Sequence, residues 1–161
     1  MTVAEYNTGI DLYSDGLYRF IRKTLGDDEC AKDIVHDVFE KLWRNLETVE
    51  NTNFKSYLFC AGAYLLKMEQ RRIKHLPLKY EVGIEKSGDG EQYNPSKSEL
   101  DKILARLPEE QRMAIVLKEY EGFTSMEIGE ILNVNSVTIR QHISRAKTVL
   151  QKCIGSPDNI I

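Results

Sequence analysis

The sequence predicts an all-α protein, an N-terminal helical bundle joined through a linker to a C-terminal helix-turn-helix domain. Three observations carry this. Apolar residues recur at three- and four-residue spacing along most of the chain, the pattern lapses once between residues 81 and 98, and the last third spells two capped helices around a tight turn.

Ile10, Tyr13, Leu17, Ile21 and Leu25 make the first helical stripe, which Gly26 ends. Ala31, Ile34, Val35, Val38, Leu42 and Leu46 make a second, longer one, and Phe54, Leu58, Ala61, Leu65 and Met68 a third. Three amphipathic helices can bury their stripes against one another. Residues 1–80 therefore read as a small bundle, closing with a basic tail from Lys67 to Lys79 that contains Pro77. Residues 81–98, with Gly83, Gly88, Gly90 and Pro95, read as a flexible acidic linker. Helical pattern resumes near Leu100 in a second domain spanning 99–161, pauses at Leu107-Pro108, and continues through Met113, Val116, Leu117 and Tyr120.

The segment from Thr124 to Leu150 is the most informative. Thr124 followed by Glu127 is a capping-box pattern, so a helix starts there, with Ile128, Ile131 and Leu132 as its apolar face. Asn133-Val134-Asn135 interrupts it, and Asn135 or Ser136 can cap a second helix whose Ile139, Ile143, Ala146 and Leu150 turn inward. The other face of that helix carries polar and basic groups without an acidic residue between Ser136 and Lys152. Phosphates and base edges suit such a face. Ser136, Val137, Thr138, Arg140, Gln141, Ser144, Arg145 and Lys147 are the candidate DNA-binding residues, with Arg140, Gln141 and Ser144 nearest the bases.

The overall charge of −3 excludes binding by bulk electrostatics. Residues 1–80 hold 12 basic and 12 acidic side chains, and residues 99–161 hold 8 and 9. DNA affinity must then be modest and depend on another molecule that holds the chain at its target. Cys30, Cys60 and Cys153 are odd in number and far apart, as in a reduced cytoplasmic protein. No apolar run approaches the roughly 18 residues of a membrane span, and no signal-peptide order opens the chain. His36, His75 and His142 lie in unrelated segments, and neither a phosphate loop nor a metal quartet is present. The sequence reads as a non-enzyme with no cofactor and no metal.

Two phrases carry a family resemblance. The first runs Ala31-Lys32-Asp33-Ile34-Val35-His36-Asp37-Val38-Phe39-Glu40-Lys41-Leu42-Trp43; the second is Leu107-Pro108-Glu109-Glu110-Gln111-Arg112 followed by Glu127-Ile128-Gly129-Glu130-Ile131-Leu132 and ended by Ser144-Arg145-Ala146. In this order, across an acidic linker, the chain resembles regions two and four of the bacterial sigma-70 family, in its compact extracytoplasmic-function group. The resemblance implies a factor that binds RNA polymerase core and directs it to promoter DNA, with an anti-sigma factor as controlling partner. It implies that Asp33, Asp37, Glu40 and Arg44, which share one helical face, dock on the polymerase. It also implies that the third helix captures opened DNA, for which Asn53, Phe54, Lys55, Tyr57, Tyr64, Lys67, Arg71 and Arg72 supply aromatic, polar and cationic groups. Here the chain departs from the family pattern. Tyr57, Ala63-Tyr64 and Met68 stand about where the family usually has a tryptophan, an Arg-Asn pair and an acidic residue. Two other readings of the residues remain: a freestanding helix-turn-helix regulator whose N-terminal bundle senses or dimerises, and a helical module that binds protein only.

Overall fold

The structure, a computed structural model, describes residues 1–75 and 95–154. All regular elements among them are helical: α1 (Val3–Leu25), α2 (Asp28–Arg44), α3 (Phe54–Lys74), α4 (Pro95–Arg106), α5 (Glu109–Glu119), α6 (Ser125–Leu132) and α7 (Ser136–Ile154). Two 3-10 turns, Leu46–Thr48 and Asn51–Asn53, join α2 to α3.

Local chemistry sets the boundaries. The Thr2 hydroxyl accepts from the Glu5 amide and the Glu5 carboxylate accepts from the Thr2 amide, so a capping box starts α1 a full two turns before the first apolar residue of the expected stripe. At its far end Gly26 adopts φ 80° and donates its amide to the Arg22 carbonyl. Asp27 then caps α2 through the Cys30 amide. Helix α2 stops at Arg44, so Leu46 packs from a 3-10 turn rather than extending the second stripe.

Helices α1, α2 and α3 pack pairwise into the expected bundle. Its centre is Leu17, Phe20 and Ile21 of α1, Val38 and Leu42 of α2, and Leu58, Phe59 and Leu66 of α3. The buried face of α3 differs from the expected stripe. Phe59, Gly62, Ala63 and Leu66 turn inward, while Ala61 and Leu65 are half-buried and Met68 is exposed. An apolar side chain at helical spacing fixes the face only where its neighbours are polar, and in this helix Phe59, Ala63 and Leu66 compete with the other register.

The C-terminal helices pack on the bundle, α6 against α3 and both α4 and α5 against α1. Helix α4 begins at Pro95, inside the range expected as linker; residues 81–94 of that linker lie outside the described residues. In the helix-turn-helix unit, Thr124 and Glu127 form the expected capping box on α6. Asn133 ends α6 in the left-handed region at φ 59°. The Asn135 carboxamide oxygen accepts from the Val137 amide and starts α7, which settles the choice between Asn135 and Ser136. Gly129 makes this corner possible, because a Cβ there would stand 2.6 Å from the Val134 carbonyl oxygen, a backbone atom with no freedom to retreat.

Gly129→Ala is therefore expected to destabilise the chain by about 1–3 kcal/mol, the usual range for overpacking, as read by urea unfolding. Met68→Ser, on the exposed side of α3, should change stability by less than about 0.5 kcal/mol.

Candidate nucleic-acid interface

Helix α7 separates its two faces as the sequence implies. Ile139, Ile143 and Ala146 are buried and Leu150 is half-buried, while Val137, Arg140, Gln141, Ser144, Arg145 and Lys147 are exposed and Ser136 and Thr138 lie at the margin. Lys147 reaches Glu119 at 3.8 Å, but both side chains are half-exposed, so the pair is weak and leaves the cation available. The hydroxyl of Thr148 donates to the Ser144 carbonyl and so faces its own helix. The exposed row from Arg140 to Arg145 offers guanidinium forks, a carboxamide and a hydroxyl on one convex surface, the donor and acceptor set that reads base edges in a major groove.

The candidates on α3 and at its start divide into three groups. Asn53, Tyr57, Tyr64 and Arg71 are exposed, and Tyr64 lies under the Lys41 ammonium at 5.6 Å. Arg72 is exposed too, but the Glu69 carboxylate holds it in a 2.6 Å ion pair and keeps its pKa above the usual arginine range. Lys55 and Lys67 are half-buried against the C-terminal half: the Lys55 ammonium lies 4.7 Å from the Phe123 ring centre, and Lys67 donates to the Leu132 carbonyl at 2.9 Å. Phe54 is 2% exposed and packs against Tyr6 and Tyr13, so it belongs to the core and not to a strand-capturing surface. Aromatic type marks both uses alike, and only the helix phase separates them.

On α2, Asp33, Asp37, Glu40 and Arg44 are all exposed, and Arg44 pairs loosely with Glu40 at 3.7 Å. Trp43 is half-exposed, with its ring edge on Tyr6. The face is solvated, acidic and unobstructed.

Sequence reasoning does not single out the groups that join the two halves. Arg19 makes a bidentate ion pair with Glu121 at 2.8 and 3.2 Å, and the Glu121 side chain is only 6% exposed. Asp101 faces Lys23 at 3.2 Å and Arg22 at 3.5 Å. Phe59 meets Phe123 edge-on at 5.0 Å. Arg112 donates to the Thr24, Leu107 and Ala105 carbonyls at 2.6, 2.9 and 3.3 Å, and burial pulls its pKa below the usual arginine range. The one sequence signal for Arg112 is its place four residues after a Leu-Pro corner, where helix-end carbonyls go unpaired.

Among the described residues no group of three or more histidine, cysteine, aspartate or glutamate side chains could hold a metal ion. Burial, and then the Asp27 and Glu69 carboxylates, push the Cys30 thiol up to about 11, so it stays protonated at neutral pH.

Known proteins share both halves. The profile of sigma-70 region 2 matches residues 10–75 and that of sigma-70 region 4 matches residues 97–150. The chain belongs to the sigma-70 family. Its place is in the extracytoplasmic-function group of that family, as the relatives indicate. The ECF RNA polymerase sigma factor SigE of Mycolicibacterium smegmatis is 29% identical over 147 residues, which cover 86% of this chain and 57% of that protein. SigW of Bacillus subtilis, also an ECF RNA polymerase sigma factor, is 26% identical over 160 residues, 89% of this chain and 85% of the relative. Two solved structures share the fold of this sigma-70 family member. One is the sigma factor RpoE of Bartonella quintana in complex with the anti-sigma factor NepR, with a TM-score of 0.77 at 24% identity over 96% of this chain and 99% of that one. The other is CnrH in complex with the cytosolic domain of CnrY, with a TM-score of 0.72 at 17% identity over 94% and 88%.

The placement of the aromatics yields a paired test. Phe54→Ala should cost about 3–5 kcal/mol of stability, measured by chemical unfolding. Tyr64→Ala should cost less than about 1 kcal/mol, the scale of an exposed cation–π contact.

Proposed function

We propose that the chain is a sigma factor, which binds RNA polymerase core and directs promoter recognition and the initiation of transcription. The observation that carries the proposal is the exposed Arg140, Gln141, Ser144 and Arg145 row of α7, in a chain that matches both sigma-70 regions in family order. Residues 1–80 and 99–161 act as separate domains joined by the acidic stretch 81–98.

In this reading α7 enters the major groove of promoter DNA, with Arg140, Gln141 and Ser144 at base edges and Arg145 and Lys147 at phosphates. Tyr57, Tyr64 and Arg71 line the outer side of α3, with Asn53 just before it and Lys55, Lys67 and Arg72 beside them, and hold the opened strand by stacking and by charge. Asp33, Asp37, Glu40 and Arg44 of α2 dock on the polymerase. The polymerase supplies the binding energy that two near-neutral halves lack, so the chain alone has weak duplex affinity. It works in the cytoplasm, with no catalytic chemistry of its own. Among its described residues no helix is long and apolar enough to cross a membrane. An anti-sigma factor is the proposed controlling partner, since the relatives RpoE and CnrH were solved with NepR and with the cytosolic domain of CnrY.

Run-off transcription with core polymerase and genomic DNA tests the proposal: the chain should produce discrete transcripts that core alone does not. Tight sequence-specific duplex binding by the free chain at physiological salt, with no transcript, would point to a freestanding regulator. Asp37→Lys with Glu40→Lys should abolish core binding while circular dichroism stays unchanged, because both side chains are exposed. Full core affinity in that double variant would remove the α2 face from the interface. Gln141→Ala should relax sequence preference by about 1–3 kcal/mol. Lys147→Ala should weaken every sequence alike and lower the salt slope by about one unit.

A further inference from the structure

Two side chains among the described residues are both polar and buried, Thr24 at 1% and Gln70 at 7% exposure, and they line the same cavity. This cavity of about 190 Å³ lies where the ends of α1 and α3 meet the start of α5, and Lys74, Glu109 and Arg112 complete its polar wall. Four buried polar side-chain atoms find no hydrogen-bond partner among the described residues, and three of them belong to it: Thr24 Oγ1, Gln70 Oε1 and Arg112 Nε. Buried polar groups are ordinarily paired, and each exception costs stability. Three exceptions around one space mark it as a place for a ligand rather than for packing. Arg112 commits Nη1 and Nη2 to the Thr24, Leu107 and Ala105 carbonyls, which leaves its Nε–H unpaired. Burial disfavours the guanidinium charge, and an anion at Nε offsets that cost. Lys74 is a second cation, 70% exposed and held to Glu109 only loosely at 3.6 Å. The remaining groups ask for the opposite. Glu109 is a carboxylate, Gln70 presents a carbonyl oxygen, and the last carbonyls of α1 and α3 are negative helix ends. The fitting occupant is therefore an anion that accepts hydrogen bonds on one side and donates on another.

We infer that this cavity binds a hydrogen phosphate ion, with charged oxygens on Arg112 Nε and Lys74 Nζ, a protonated oxygen toward Gln70 and Glu109, and the Thr24 hydroxyl bridging the two sets. Free phosphate keeps at least one proton at neutral pH, so it satisfies the Gln70 carboxamide in either orientation of the amide. Sulfate has the same shape without the proton, and a planar carboxylate has too few oxygens to serve both sets. The second proton of a phosphate ester is largely lost by neutral pH, since its pKa is about 6. The space suffices, because one water needs only about 10–15 Å³ of it and a compact tetrahedral ion a few times more. The walls come from α1 and α3 on one side and from α5 on the other, so the bound ion bridges the N-terminal and C-terminal halves. The site stands apart from the sigma-factor reading and needs no contact with DNA or polymerase.

The test titrates the full chain with inorganic phosphate at neutral pH and follows the Arg112 Nε–H and Gln70 side-chain amide signals by nitrogen-15 NMR. Sodium sulfate, with ionic strength matched by chloride, is the comparison. Phosphate should shift both signals to saturation along one binding curve, and sulfate should bind at least about tenfold more weakly, the scale of one lost hydrogen bond to a charged group. Thr24→Val and Gln70→Met each remove an unpaired polar atom at nearly constant volume. Either should weaken phosphate binding by about tenfold or more, while the melting temperature in chloride buffer stays at or above that of the wild type, because nothing paired is lost. The wild-type comparison of the two anions needs no variant to fold. Signals that do not move, or that drift without saturating, would overturn the inference, and so would sulfate binding as tight as that of phosphate. Wild-type affinity in both variants would place the ion elsewhere on the chain and overturn the site. Variants that lose phosphate but melt clearly below the wild type would show that Thr24 and Gln70 serve the fold, which is equally fatal.

Discussion

The guanidinium of Arg112 is the point on which the arrangement of this molecule turns. Its Nη1 donates to the Thr24 carbonyl in the last turn of α1, and its Nη2 to the Leu107 and Ala105 carbonyls at the end of α4. Helix ends leave unpaired carbonyls that must find donors, and a planar cation with a fixed fork serves two of them at once. The helix-end carbonyls and the nearby Glu109 carboxylate favour the charge, against the burial that disfavours it. Lysine could not span the same three oxygens with comparable geometry. Arg112 thereby fixes the α4–α5 corner and ties it to the N-terminal bundle in one residue.

Around this point the joint uses two kinds of contact. An aromatic pair, Phe59 with Phe123, excludes water at the centre, while ion pairs from Arg19, Arg22 and Lys23 lie toward the rim. The pairing explains part of the charge balance that the composition displays. Cations of α1 are answered by acids of the C-terminal half, so the neutrality of each half hides a local complementarity. The basic row on α7 and the acidic row on α2 stand outside these pairings, apart from the loose bridges of Lys147 to Glu119 and Arg44 to Glu40.

Much of the fold was legible because its signals are local. Gly26 stops α1 by a backbone conformation that few other residues adopt, and Thr124 with Glu127 starts α6 by hydrogen bonds within four residues. The inward and outward faces of α7 followed from spacing alone. The face of α3 did not, because apolar residues occupy most of its circumference and the bundle chooses among them by packing; Phe54 was open to both uses for that reason. Lys67, Arg112 and Glu121 were illegible as joint residues since their partners lie 65, 88 and 102 positions away, and no local pattern encodes such a pairing.

The corner between α6 and α7 has a consequence for how such a chain diversifies. Its angle rests on Gly129, which lets the Val134 backbone come close, and on Asn133, which takes the left-handed conformation. Neither residue belongs to the exposed row of α7. The direction in which the helix points is thus set by one group of positions and the surface it presents by another. Side chains at 140, 141 and 144 can be exchanged over generations while the helix keeps its aim, so a lineage built on this corner explores new surfaces without refolding the device that carries them.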